Sequence, residues 1–178
     1  PTLSALEKEK LFLFIKFEVG GSVPLVMGTG SNSTAEALQA SKLAKQWGAT
    51  AALVVVPYYN KPSQRGLVEH FSKIAKEADI PVILYNVPSR TISKLELESV
   101  QLLSKVPGIV AIKEATGNLE FGQSIVKTTS LLLSSGDDDS CMKLVGAGSR
   151  GVISVVSHLI PKEMTSMVIP IRLAYRTL

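Results

Sequence analysis

The sequence predicts an α/β fold: strand and helix alternate, the strands form one parallel sheet, and the units follow one another as in a (β/α) barrel. Three observations carry this prediction. Short apolar runs are separated by segments of helical period at a roughly constant spacing. Six runs qualify as strands, at 23–27, 51–56, 82–87, 109–112, 131–134 and 151–155. Polar or conformationally special residues follow nearly every run, whereas an open doubly wound sheet, the structural competitor, gathers them at one switch point.

Residues 4–19 carry Leu6, Leu11, Phe14 and Ile15 at helical spacing, with Ser4 as N-cap and Glu7 three residues on, a capping-box pattern. The run 23–27 ends in Gly28-Thr29-Gly30, and 34–47 reads as a helix closed by Gly48. Strand 51–56 ends at Pro57-Tyr58-Tyr59-Asn60. Helix 64–78, strand 82–87 and helix 94–103 follow. Strand 109–112 bears Lys113 at its end and precedes helix 120–127. The last two runs, 131–134 and 151–155, flank a weak helix at 140–145. An eight-unit barrel takes about 250 residues, whereas this chain has 178 and opens on a helix. The expectation is therefore a fragment, or part of a longer polypeptide, whose open sheet edge keeps these residues alone from forming a closed, stable barrel.

Composition excludes several classes. With 46% apolar and 19% charged residues, disorder is not expected. No apolar stretch reaches the roughly 18 residues that span a bilayer, and the first residues lack a signal peptide's basic and apolar regions. A single cysteine, Cys141, fits a reducing cytoplasm. The net charge of +4 is dispersed, without basic blocks or interleaved aromatics, so nucleic-acid binding has little support. His70, His158 and Cys141 give no metal-ligand spacing.

Lys113 is the strongest chemical signal. It closes Ile109-Val110-Ala111-Ile112, a run expected to be buried on both faces. Burial penalises an ammonium, and a neutral amine attacks ketones to form a Schiff base. Taken alone, a strand-terminal Lys113-Glu114 pair is more often a solvated ion pair. Gly28-Thr29-Gly30-Ser31-Asn32 is either an anion-holding loop or an ordinary turn. Tyr58, Tyr59 and Tyr85 sit on the rim, where a hydroxyl can relay protons and a ring can simply pack. Arg90 offers a planar fork suited to a carboxylate, or is a solvated loop residue. Ser135-Gly136-Asp137-Asp138-Asp139 reads as a turn whose acidic residues cap the next helix. Gly146, Gly148 and Gly151 permit either a close backbone approach or a tight turn. His158 and Cys141 read as structural.

Taken together, Gly-Thr-Gly-Ser-Asn at 28–32, Pro-Tyr-Tyr-Asn-Lys-Pro at 57–62, Tyr-Asn-Val-Pro-Ser-Arg-Thr at 85–91, Ile-Lys-Glu-Ala-Thr-Gly at 112–117, Ser-Gly-Asp-Asp at 135–138 and Gly-Val-Ile-Ser-Val at 151–155 occur in a specific order and spacing. By these motifs the chain resembles the dihydrodipicolinate synthase (4-hydroxy-tetrahydrodipicolinate synthase) family up to about Met167. The resemblance implies a (β/α)8 TIM barrel, with residues 1–167 a partial barrel and 168–178 the start or remnant of a C-terminal helical region. It implies condensation of pyruvate with aspartate semialdehyde in diaminopimelate and lysine biosynthesis, in a cytoplasmic homo-oligomer, a dimer of dimers, without cofactor or metal. By motif, Lys113 would form the pyruvate imine, Tyr85 would relay protons beside it, and Tyr59 would cross a dimer interface to complete the neighbouring subunit's relay. Arg90 would bind the semialdehyde carboxylate, and the backbone at Ile153 and Gly136 would line the pyruvate pocket. Asn32, Glu36 and Tyr58 fall where some members bind lysine as a feedback inhibitor.

There are departures from the family pattern. The Gly-Thr-Thr-Gly-Glu-Ser motif with its relay threonine, and the first two strands, are missing before Pro1-Thr2-Leu3-Ser4. After Arg90-Thr91 the family has glycine, where Ile92-Ser93-Lys94 stands here. The connection 127–131 is short, and 168–178 fits the expected helix poorly. The alternatives are N-acetylneuraminate lyase or a 2-keto-3-deoxy sugar acid aldolase, which would share Lys113 and a relay tyrosine but not the Arg90 context, and a catalytically silent fragment or regulatory subunit.

Overall fold

In the computed structural model, which describes residues 2–174 and the side chains of residues 2–170, five strands form an all-parallel sheet in the order β1-β2-β3-β4-β5. They are β1 (Val26–Gly28), β2 (Ala51–Val55), β3 (Val82–Asn86), β4 (Ile109–Glu114) and β5 (Leu132–Ser135). The helices are α1 (Ala5–Val19), α2 (Thr34–Trp47), α3 (Gln64–Glu77), the single turn α4 (Pro88–Thr91), α5 (Leu97–Leu103), α6 (Leu119–Thr128), α7 (Cys141–Gly146) and α8 (Pro161–Ala174). Each strand lies beside its predecessor in sequence, so the strand order never reverses and no switch point exists among the described residues. That is the progression of a (β/α) barrel wall.

The helices explain the rest of the geometry. α2 packs on α3, α3 on α5 and α5 on α6. Their apolar stripes, including Leu67, Phe71, Ile74, Leu103 and Ile125, bury Val54, Val82, Leu84, Ile112 and Leu133 of one sheet face. Burying each such side chain fully contributes about 1.5–3 kcal/mol. On the other face Leu53, Val55, Ile83 and Tyr85 are half-buried and Leu132 is exposed. The expectation of a strand buried on both faces holds for β4 apart from Val110, while β2, β3 and β5 are fully covered on one face only. Val110 is the extra residue where the β3–β4 register shifts, which leaves it outside the pattern and exposed.

Several expected elements differ. Residues 151–155 do not form a sixth strand. Only Val152 bridges Ser135, and the chain then enters a 3-10 turn at Val156–His158. The helix expected at 94–103 begins at Leu97, because side chains hold the preceding residues extended: Asn86 accepts the Leu95 N–H at 3.0 Å and Gln64 accepts the Glu96 N–H at 3.1 Å. In α1 the Ser4–Glu7 capping box is present, yet Leu6, Leu11, Phe14 and Ile15 are exposed. Phe12 is the buried contact, its ring 6.3 Å from that of Trp47, where α1 packs against α2. Residues 168–174 continue α8 through Pro170 instead of breaking it. The remainder of the expected 168–178 region, residues 175–178, lies outside the described residues, as does Pro1.

Candidate active site

Parallel register builds the centre. Tyr85 of β3 and Lys113 of β4 are direct partners, so alternation sends both side chains to the half-covered face at the C-terminal ends of the strands. The Lys113 Nζ stands 4.2 Å from the Tyr85 ring centroid, a cation–π contact. Lys113 is 8% exposed. Burial lowers its pKa from the usual lysine value, while Asp137 and Asp138 pull it back upward. Burial raises the Tyr85 phenol; Asp137 pushes it the same way and Arg90 opposes. An amine shifted toward its neutral form, with a phenol against it, has the composition needed for imine chemistry.

The next residue points the other way. Glu114 is fully buried on the helix-covered face, so it makes no ion pair with Lys113. Its carboxylate accepts the Asn86 side-chain amide at 3.1 Å and the Thr116 backbone N–H. Burial pushes its pKa up despite these bonds. Asn86 and Glu114 are also register partners, and Asn86 in turn accepts the Leu95 N–H, which ties β4 to the segment after α4. The motif reading missed this brace. Its one signal in the sequence is a polar residue beside each site residue, Asn86 after Tyr85 and Glu114 after Lys113.

Gly136 follows β5 and comes against Lys113, while Ile153 lies at the C-terminal end of β5, bonded to Ser135. The Gly136 N–H donates to the Glu114 carbonyl at 2.8 Å, and a Cβ on Gly136 would lie 3.0 Å from Lys113 Cε and 2.7 Å from Ala115 Cβ. Glycine is required there for close approach. The Ile153 N–H donates to the Ser135 carbonyl at 2.9 Å, which sets its backbone at the end of β5. Asp137 borders a cavity of about 470 Å³ that also reaches Ser89, Thr116 and Lys143. The cavity opens next to Lys113 and does not include it. The acidic residues do not cap α7, whose N-cap Ser140 makes no side-chain bond. Instead Asp138 accepts the N–H groups of Val155 and Val156, each at 3.1 Å.

Arg90 sits exposed on α4, near enough to Tyr85 to influence its titration. Tyr59 is not brought to Lys113. It is 85% exposed at φ 72°, on the loop after β2, and Tyr58 is exposed beside it. That loop meets the loop after β1 through the Asn60 amide, which donates to the Asn32 carbonyl at 3.0 Å. Glu36 accepts the Ser31 hydroxyl at 2.8 Å, so Asn32, Glu36 and Tyr58 share one stretch of rim. The Gly28–Gly30 segment is a packing turn: a Cβ on Gly30 would lie 2.5 Å from the Val55 nitrogen. Gly148, at φ 108°, forms a tight turn. Cys141 is buried, as expected of a structural residue, but His158 is exposed on the 3-10 turn. Among the described residues no group of three or more His, Cys, Asp or Glu could hold a metal ion, and no helix is long and apolar enough to cross a membrane.

The sequence profile of the dihydrodipicolinate synthetase family matches residues 1–172. A 4-hydroxy-tetrahydrodipicolinate synthase of Bdellovibrio bacteriovorus is 50% identical over 166 residues, covering 92% of this chain and 57% of that protein. The crystal structure of a chloride-inhibited dihydrodipicolinate synthase from Acinetobacter baumannii complexed with pyruvate superposes with a TM-score of 0.93 at 38% identity, over 99% of this chain and 62% of that one. The lysine-bound enzyme of Cyanidioschyzon merolae gives 0.89 at 43%, over 94% of this chain and 58% of that one. The chain therefore spans somewhat over half the length of these relatives, and with its sequential parallel sheet and its Tyr85–Lys113 pair it belongs to the dihydrodipicolinate synthetase family.

Proposed function

We propose that this chain carries the Schiff-base centre of a 4-hydroxy-tetrahydrodipicolinate synthase, which condenses pyruvate with aspartate 4-semialdehyde. The observation that carries the reading is the buried Lys113 amine held 4.2 Å from the Tyr85 ring centroid at the C-terminal end of the sheet. The amine adds to the pyruvate ketone and water leaves, giving an iminium. This withdraws electrons, so the methyl carbon loses a proton and becomes an enamine nucleophile that attacks the aldehyde carbon. Tyr85 passes protons at the imine, and Arg90 takes the semialdehyde carboxylate through its two-pronged guanidinium. Gly136 and Ile153 present backbone to the pyruvate carboxylate.

The pyruvate complex of the Acinetobacter baumannii relative supports the first substrate. The lysine-bound Cyanidioschyzon merolae enzyme supports lysine as a ligand, for which Asn32, Glu36 and Tyr58 are the candidate residues. The outward-facing Tyr59 suits a residue that serves a neighbouring subunit of a cytoplasmic homo-oligomer. The names of the relatives favour the synthase over a sialic-acid lyase or sugar-acid aldolase. The reaction as drawn needs no metal or cofactor.

The test is borohydride reduction of the purified protein with pyruvate, followed by intact-mass and peptide mass spectrometry. One reduced pyruvate adduct is expected on Lys113, and none in Lys113→Ala. An adduct that persists in Lys113→Ala overturns the assignment.

A further inference from the structure

We propose that Asp138 is a positioning residue of this site, a tether that holds the 151–158 segment across the end of β5 and so keeps the Ile153 backbone in place on Ser135, the residue before Gly136. The proposal rests on the Schiff-base reading and adds to it a residue outside the pyruvate pocket.

Beyond Gly151, whose carbonyl also accepts the Ser134 and Ser149 hydroxyls, few bonds tie that segment to the sheet. Two backbone bonds fasten it to the sheet, both to Ser135: its N–H donates to the Gly151 carbonyl and its carbonyl accepts the Ile153 N–H, each at 2.9 Å. Beyond Ile153 the backbone leaves the sheet. Val155 is 74% exposed and Val156 is 37% exposed, so neither side chain anchors the turn by burial. The Asp138 carboxylate takes over at that point. Its Oδ2 accepts the N–H groups of Val155 and Val156, one on each side of the turn's start, each at 3.1 Å. The turn then closes on itself, with the Ser157 N–H donating to the Ser154 Oγ at 2.8 Å and the Ser157 hydroxyl to the Ser154 carbonyl at 3.0 Å.

Asp138 is two residues from Gly136, whose backbone is packed against Lys113 Cε and bonded to the Glu114 carbonyl. One carboxylate therefore links the backbone stretch packed against the lysine to the segment bonded at the end of β5. Each of these bonds fixes a direction as well as a distance, and two on one oxygen hold the start of the turn. Losing the tether frees Ile153 while leaving Lys113 and Tyr85 on their strands. Pyruvate binding should suffer more than the chemical step.

The experiment compares Asp138→Ala and Asp138→Asn with the wild-type protein, using pyruvate as the probe. In Asp138→Ala the KM for pyruvate is expected to rise about tenfold or more while kcat stays within about threefold. The Val155 and Val156 amides should exchange with solvent faster. Asp138→Asn keeps a carbonyl oxygen that accepts the same two N–H groups, so both readouts should stay near wild type. An unchanged KM and unchanged amide exchange in Asp138→Ala overturn the proposal, and so does an Asn variant as impaired as the Ala variant, which would assign the effect to charge. If Asp138→Ala does not fold, Asp138→Glu replaces it: the longer side chain should raise KM, and an unchanged KM overturns the tether. Failure of the underlying reading is separate, because it shows in the wild-type protein as no borohydride adduct, while amide exchange tests the tether regardless.

Discussion

Replacing Gly136 with alanine tests whether close packing places the Lys113 amine. The added Cβ would stand 2.7 Å from Ala115 Cβ, 3.0 Å from Lys113 Cε and 3.2 Å from the Glu114 carbonyl oxygen. Carbon atoms rest at about 3.5–4.0 Å, so the backbone or the lysine must give by roughly 1 Å. The backbone cannot move freely, since the Gly136 N–H is bonded to the Glu114 carbonyl and Ser135 pairs with Glu114 in the sheet. Moving Lys113 relieves the 3.0 Å contact but not the 2.7 Å one with Ala115, so the lysine and the strand end that carries it should shift together, and a displacement near 1 Å from productive geometry costs about 10²-fold in rate. Overpacking adds a destabilisation of about 1–3 kcal/mol. The assay is the rate of borohydride-trapped pyruvate adduct by mass spectrometry, with Tm measured on the same samples. A fall of roughly 100-fold in trapping and a Tm lower by several degrees are expected. Gly28→Ala is the control: its Cβ meets nothing within 4 Å, so it should leave both readouts unchanged. A Gly136→Ala protein that traps pyruvate at the wild-type rate would refute the reasoning.

Two further outcomes concern stability. Burial depresses the pKa of His70 to about 4, from an ordinary 6.5. The unfolded chain then binds the extra proton between those values, so this contribution is complete above pH 6.5 and is lost as pH falls toward 4, by about 3 kcal/mol. Urea unfolding at pH 7 and pH 4 should show that loss in wild type, and His70→Asn should lack this share; equal pH dependence in both proteins counts against it. Ile92 is 67% exposed with φ 65°, a conformation strained for a β-branched side chain. Ile92→Gly should therefore stabilise by about 1 kcal/mol, and a lowered denaturation midpoint would contradict this.

Most of the scaffold was legible along the chain because helix and strand periods are local. The Ser4–Glu7 capping box, the helix stop at Gly48 and the strands read at 51–56, 82–87 and 109–112, found at Ala51–Val55, Val82–Asn86 and Ile109–Glu114, follow from neighbouring residues within a few positions. Motif order alone also picked out Lys113, Tyr85, Gly136 and Ile153, which the fold gathers at one end of the sheet. Tyr59 was legible as a rim residue, but this chain leaves it facing outward.

Other features depended on contacts between distant residues. The period of 4–19 announces an apolar helix, but which side is buried depends on Trp47, 35 residues from Phe12. The run 151–155 has strand composition, but Asp138 takes the N–H of its last residue, Val155, and that of Val156 after it, away from the ladder. The alternating α/β pattern, the loops that carry polar residues and the identity of the candidate nucleophile are thus written in the order of residues along the chain. Only the tertiary structure decided that Lys113 faces Tyr85 while Glu114 turns away to Asn86, because parallel register between β3 and β4 is set by which side chains pack beneath the helices, and no single strand contains that information.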